Sequence, residues 1–364
     1  MKNKKIVSLF VAFTLFCTSI NFSFAETDTE DSVVEITNES KEENSSEGSA
    51  KDESDIVEES GDSSEEEVML EEEGDLEEFY REANPYLFEE PKLERIQGTN
   101  NYETAAKIAD KQSYNSVILV NLDNNIADGL SASGLSGATN SPILLTQKDT
   151  VPDVTMQRIS TKASKVYIIG GINSVSSAVE SKLKSAGKTV IRIQGSDRVD
   201  TSIKVADEIK KHVNSQYVFL VNGFSGEADA ISISPVSSMY KSPIILTDGN
   251  KTNYSSSSKE CYVIGGSNNM SDAIVSNNNA TRISGSDRFE TNEDVINHFL
   301  DTDSYLKLME EESLSFHVVD GYNLQSGLLA STITKDAMFS LASTGNDKGY
   351  MFVANKIVVF GQLN

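Results

Sequence analysis

One short phrase occurs three times in this chain. Arg95-Ile96-Gln97-Gly98 returns as Arg192-Ile193-Gln194-Gly195 and as Arg282-Ile283-Ser284-Gly285, at spacings of 97 and 90 residues. Each copy is followed by an apolar run: VILVN at 117–121, VFLVN at 218–222 and FHVVD at 316–320. Each then meets a second: VYIIGG at 166–171, CYVIGG at 261–266 and IVVFGQ at 357–362. Repetition at this period means one supersecondary assembly written three times, which restricts the fold more than any single motif. It favours a surface built from like parts over an enzyme, because catalysis usually rests on one unrepeated constellation.

The apolar runs are short and do not alternate with polar residues, as in VILV, PILL and VYII. Strands buried on both faces of a parallel sheet read this way. Between them lie segments with helical spacing. Tyr102, Ala105, Ala106, Ile108 and Ala109 fall on one side of 102–111, and Val175, Val179 and Leu183 on one side of 175–186. The alternation predicts an α/β unit of roughly 90 residues, with repeats at 95–191, 192–281 and 282–364. The turn after each phrase has a mechanical reading. Its glycine permits the sharp bend. Asn100, Asp197 and Asp287 are helix N-caps, and Glu103, Asp200 and Glu290 stand three residues later, where a carboxylate reaches back.

The remaining sequence is of a different kind. Lys2, Lys4 and Lys5, an apolar stretch from Ile6 to Phe16, and small residues Ser23 and Ala25 predict a secretory signal peptide at 1–25, cut before Glu26. Phe16 ahead of Cys17 argues against a lipid anchor. Residues 26–94 hold 28 Asp/Glu against 4 Lys/Arg, so nearly all of the net charge of −25 lies there. That composition predicts a disordered, self-repelling spacer without a calcium-loop pattern. A short apolar group around Leu76, Phe79, Tyr80 and Phe88 could form a helix docking on the first repeat. The repeats carry 28 acidic and 24 basic residues, which leaves no basic face for nucleic acid. No membrane span is expected once the signal is removed. Cys261, alone after cleavage, reads as a small buried hydrophobe.

With these residues in view the chain resembles the cell wall binding repeat 2 family of clostridial-type surface proteins. The resemblance rests on the recurring order RIxG, SDR, a strand, ADGLSAS or EADAISIS, SPILLT or SPIILT, and YIIGG or YVIGG, over about 270 residues. It implies three Toprim-like α/β repeats with parallel sheets, packed as an intrachain pseudo-threefold trimer. It implies a secreted protein at the cell surface, held non-covalently to an anionic, teichoic-acid-like wall glycopolymer, with surface-layer proteins as further partners. It implicates the PILL segments, here Pro142-Ile143-Leu144-Leu145 and Pro243-Ile244-Ile245-Leu246, and the arginine after the glycine turn, here Arg198 and Arg288. Repeat one has Asn101 in that place. Asp128 and Asp229 of the first two repeats become Ser326 in the third, and the closing glycine pair becomes Gly361-Gln362.

The chemistry of these residues admits two readings. Arg198 and Arg288 at helix starts, with Arg95, Arg192 and Arg282 on the preceding strand ends, suit a phosphate or carboxylate. They equally suit pairing with Asp and Glu at repeat junctions. The PILL runs read as core strands or as ligand contacts. Catalytic patterns fail. His212, His298 and His317 match no zinc motif, GGINS and GGSNN lack a phosphate-loop Lys-Ser/Thr, and GLSAS lacks the closing glycine of a nucleophile elbow. The expectation is a non-enzymatic wall-binding protein without cofactor or metal. The alternative is a regulator of a wall hydrolase acting through the same repeats.

Overall fold

The computed structural model describes residues 92–123, 126–256, 259–299, 315–334, 338–343 and 354–362. The expected signal peptide, nearly all of the spacer and the apolar group near Leu76 lie outside them. The chain enters through β1 (Lys92–Ile96) and α1 (Asn101–Asp110), then runs β2 (Ser116–Val120), α2 (Ala132–Thr139), β3 (Ile143–Leu145), α3 (Asp153–Lys162), β4 (Lys165–Ile169), α4 (Ser177–Ser185) and β5 (Thr189–Ile193). The second round is α5 (Arg198–Lys210), β6 (Tyr217–Asn222), α6 (Glu227–Met239), β7 (Ile244–Thr247), β8 (Glu260–Ile264), α7 (Asp272–Asn277) and β9 (Thr281–Ile283). The third is α8 (Arg288–Phe299), β10 (Ser315–Asp320), α9 (Leu324–Ala330), β11 (Met338–Ala342) and β12 (Lys356–Phe360).

These strands form three four-stranded parallel sheets of one topology: β3-β2-β4-β5, β7-β6-β8-β9 and β11-β10-β12-β1. The expected α/β repeat with parallel strands is what the chain builds. The phase of the sheet differs from the phase of the sequence repeat, however. Each RIxG strand is the last strand of the preceding sheet, so β5 pairs with β4 and β9 with β8. The first RIxG strand, β1, pairs with β12 in the third sheet, from Lys92 opposite Lys356 to Ile96 opposite Phe360. Lys92, Leu93 and Glu94, read as the end of the spacer, are therefore ladder residues.

The helix after each RIxG turn carries the chain to the next sheet. α5 packs on β7, α8 on β11 and α1 on β3. The PILL strands β3 and β7 are edge strands whose open side these helices cover. Pro142 and Pro243 stand just ahead of them, where no ladder N–H is needed, and their carbonyls accept from Ile118 and Phe219 N–H at 2.9 and 3.0 Å. The side chains from Ile143 to Leu145 and from Ile244 to Leu246 are at most 3% exposed, each contributing about 2 kcal/mol of burial.

The centre of the molecule is made of α6, which packs on both α2 and α9, and of a bond that joins α2 to the end of α9. Gly137 lies so close to Ser238 that a Cβ there would stand 1.8 Å from its carbonyl oxygen, and Gly327 meets Ile231 in the same way. Ser133 of α2 and Ser331, the C-cap of α9, share a hydrogen bond of 2.9 Å. This closed three-way contact among equivalent helices gives the three units a cyclic arrangement within one chain.

Candidate functional site

Parallel strands put all carboxyl ends of a sheet on one edge, and the order β3-β2-β4-β5 reverses direction between β2 and β4. Such a switch point leaves a crevice outside the strand ends. Here each crevice lies where the next linking helix starts, so it is lined by two units.

At the first junction, Asn121 directly follows β2. Its amide donates to the Ser174 carbonyl at 2.8 Å and its Oδ1 accepts from Asp123 N–H at 3.0 Å. Asp128 follows, with its carboxylate over Gly170, whose φ of +113° leaves no room for a Cβ. Burial pushes the Asp128 carboxyl up, opposed by the Ser174 hydroxyl and by the charge of Arg198 from the next unit. Arg198 opens α5. It donates to the Gly223 carbonyl at 2.6 Å, and its guanidinium lies 4.9 Å from the Phe224 ring centre. Phe224 is 58% exposed.

The second junction repeats this in detail. The Asn222 amide donates to the Asn269 carbonyl at 2.8 Å, and Asp229 packs over Gly265 at φ +117°. Burial pushes Asp229 up to about 7, Arg288 opposes this and Glu227 adds to it. Arg288 donates to the Gly321 carbonyl at 2.9 Å and lies 4.8 Å from the ring centre of Tyr322, itself 65% exposed. Each of these junctions thus presents a half-buried guanidinium on an exposed aromatic ring beside a carboxyl that resists ionisation. The arrangement offers a fixed positive charge with an apolar platform, suited to an anionic group attached to a ring.

The turn that aims these arginines follows the predicted capping. Glu103, Asp200 and Glu290 accept from Thr99, Ser196 and Ser286 N–H at 2.8, 2.9 and 2.8 Å. Asn100, Asp197 and Asp287 accept from the N–H three residues on. Thr104, Thr201 and Thr291 add a hydroxyl acceptor for the glycine N–H.

The other expected site residues sit elsewhere. Arg192 donates to the Gly170 carbonyl at 2.9 Å and pairs with Glu180 at 2.8 Å. Glu180 is held below the usual carboxylate range by Lys184 and Arg192. Arg282 donates to the Gly265 carbonyl at 2.7 Å and pairs with Asp272 at 3.0 Å. Both therefore brace the glycine turn that backs the crevice. Arg95 is exposed and contacts Gln97 at 3.4 Å. Pro142, Ile143, Leu144, Leu145, Pro243, Ile244, Ile245 and Leu246 are buried, so their side chains shape the sheet edge from inside. Phe224 and Tyr322 were not singled out in the sequence. Their signal is position alone, one residue beyond the glycine that follows the central strand. Among the described residues no group of three or more His, Cys, Asp or Glu is placed to hold a metal, and no helix is long and apolar enough to cross a membrane.

Comparison with known proteins fits this architecture. The model of the family "Cell wall binding domain 2 (CWB2)" matches residues 95–180 and 192–275. The N-acetylmuramoyl-L-alanine amidase LytC of Bacillus subtilis (strain 168) is 28% identical over 285 residues, covering 75% of this chain and 54% of that protein. The Amidase enhancer of the same organism is 34% identical over 210 residues, covering 56% of this chain and 29% of that one. The solved structure of Cwp6 from Clostridium difficile superposes with a TM-score of 0.66 at 29% identity, over 75% of this chain and 46% of its own. The chain thus spans about half or less of each of these proteins. Residues 95–180 and 192–275 are thus two tandem repeats of the cell wall binding domain 2 family.

Proposed function

We propose that this chain is a non-catalytic wall-binding protein, exported to the cell surface, that holds an anionic wall glycopolymer at its unit junctions. The family match at 95–180 and 192–275 carries the reading. The junction chemistry supports it. Arg198 on Phe224 and Arg288 on Tyr322 give two like sites on one rigid frame, and a repeating polymer engaging both gains effective concentration from the second contact. The acidic segment before residue 92 carries the charge of the polymer itself and is repelled by it. It is therefore not itself a ligand contact, and surface-layer proteins are neighbours in that location.

Co-sedimentation of the full chain with purified cell walls tests this. Walls stripped of their anionic polymer should lose the protein. The double variant Arg198→Ala with Arg288→Ala should lose affinity roughly a hundredfold, from two charge-assisted contacts worth about 1.5 kcal/mol or more each. Retention unchanged by stripping would defeat the reading. The similarity to the Amidase enhancer favours a second reading, in which the repeats act on a wall hydrolase. Retention that depends on added hydrolase, not on polymer, would select it.

A further inference from the structure

The third junction departs from the other two at each position that gives them their chemistry. Where they have Arg198 and Arg288 it has Asn101, where they have Phe224 and Tyr322 it has Asp123, and where they have Asp128 and Asp229 it has Ser326. Two carboxamides meet there in place of a guanidinium. The Asn101 amide donates to Gln325 Oε1, and Gln325 Nε2 donates to the Leu122 carbonyl at 3.0 Å. The Tyr102 hydroxyl donates to the Asp123 carboxylate.

Asn101, Asp123, Gln325 and Asn323 line a shallow cleft of about 370 Å³, with Tyr322 also in its wall. No Lys or Arg is among its lining residues, so Asp123 sets the local charge and an anion is repelled. Each carboxamide has two N–H donors and an acceptor oxygen, more than the bonds above engage. A wall formed by Tyr322 with carboxamide donors and acceptors beside it matches a hydroxyl-rich ring without charge, and the volume is at the small end of the roughly 300–1,000 Å³ of ligand clefts. Tyr322 joins this cleft to its neighbour, since the same ring lies under Arg288. A chain holding an anionic group at Arg288 passes over Tyr322 into the amide-lined cleft.

Resting on the wall-binding reading, we infer that the third junction is a neutral-sugar subsite, taking an uncharged pyranose of the polymer whose anionic group sits at Arg288. The chain would then read an alternating pattern of charge and neutral sugar, not charge alone.

The test uses the full chain labelled with ¹⁵N. Methyl glucoside, N-acetylglucosamine, N-acetylgalactosamine and inorganic phosphate are titrated separately while the side-chain amide signals of Asn101 and Gln325 are followed. At least one neutral sugar should move both signals saturably, and phosphate should move neither. Asn101→Arg, which installs the residue the other two junctions carry, should weaken sugar binding at least tenfold and make the Gln325 signal respond to phosphate. Gln325→Ala should weaken sugar binding with phosphate shifts around Arg198 and Arg288 retained. Phosphate moving the wild-type amides, or no sugar moving them, overturns the inference. If that happens while the wild-type chain still sediments with walls, only the subsite falls. If the chain does not sediment with walls, the wall-binding reading itself falls.

Discussion

Asp229 is a carboxylate that folding holds against ionisation. It is 8% exposed, its oxygen lies against the Gly265 backbone, and burial with Glu227 nearby brings its pKa to about 7 despite Arg288. An unfolded Asp titrates near about 3.9. Between these values the folded chain binds the proton that the unfolded chain has lost, so the contribution of this group to stability falls as pH rises from about 4 to about 7. Asp229→Asn should flatten that fall and be the more stable protein at pH 8, by on the order of 2 kcal/mol, with little difference near pH 4. Urea midpoints of both proteins at pH 4 and pH 8 decide it. The comparison is a difference between the two proteins, because Asp128, raised in the same direction, and His317, held down to about 4 by burial, act on both alike. Gly265→Ala attacks the same contact from the other side. Its Cβ would stand 2.6 Å from the Asp229 oxygen at φ +117°, and a loss of about 2 kcal/mol or more is expected from strain of this kind. The sequence displayed both Asp128 and Asp229 within their repeated motif. It did not display their burial, since that depends on a glycine turn about 36 to 42 residues downstream.

Elements with one buried stripe were legible and elements buried all round were not. α4 shows Val179 and Leu183 on its inner side, with Val175 ahead of it fully buried, as the four-residue spacing predicts. The caps of α1 and α5 were equally plain, because a cap is a local bond between near neighbours. α2 and α6 gave no such stripe. In α6 every residue from Asp229 to Ser238 is buried, and Pro235 lies inside it. Their Ser, Ala and Gly content follows from close helix contact, which periodicity does not report. That contact has a measurable consequence. Gly137→Ala would place a Cβ 1.8 Å from the Ser238 carbonyl oxygen, whereas a Cβ at Gly187 meets nothing within 4 Å. Gly137→Ala should therefore lower stability by about 2–3 kcal/mol through forced separation of α2 and α6. Gly187→Ala, strained only by its φ of +76°, should lose about 1 kcal/mol. Comparable melting temperatures for the two variants would count against this account of the centre.

The three units close into a ring because β1, the first of the described strands, is the last in the third sheet. The repeat at 95, 192 and 282 was visible, but its phase against the sheets was not, since RIxG reads the same whether it opens a unit or ends one. Closure through β1 makes the third unit depend on residues more than 200 positions before it. Ile96 is 5% exposed, β1 runs parallel to β12 over five paired residues, and Glu94 bridges to Lys356 and Lys111. Burial of Ile96 alone accounts for about 2 kcal/mol. Removal of 92–97 also leaves β12 as an unpaired edge. A chain lacking those residues should keep slow amide exchange in β6 and β8, whose partners are all present, and lose protection across β12 and then β10. Its wall retention should fall less than that of the Arg198→Ala with Arg288→Ala variant, because the first junction is built from units that the deletion leaves paired. Exchange protection of β12 that survived the deletion would mean that α9 and β10 hold the strand without its partner, and the ring would then be an arrangement in space that carries no cooperative link between the two ends of the repeats.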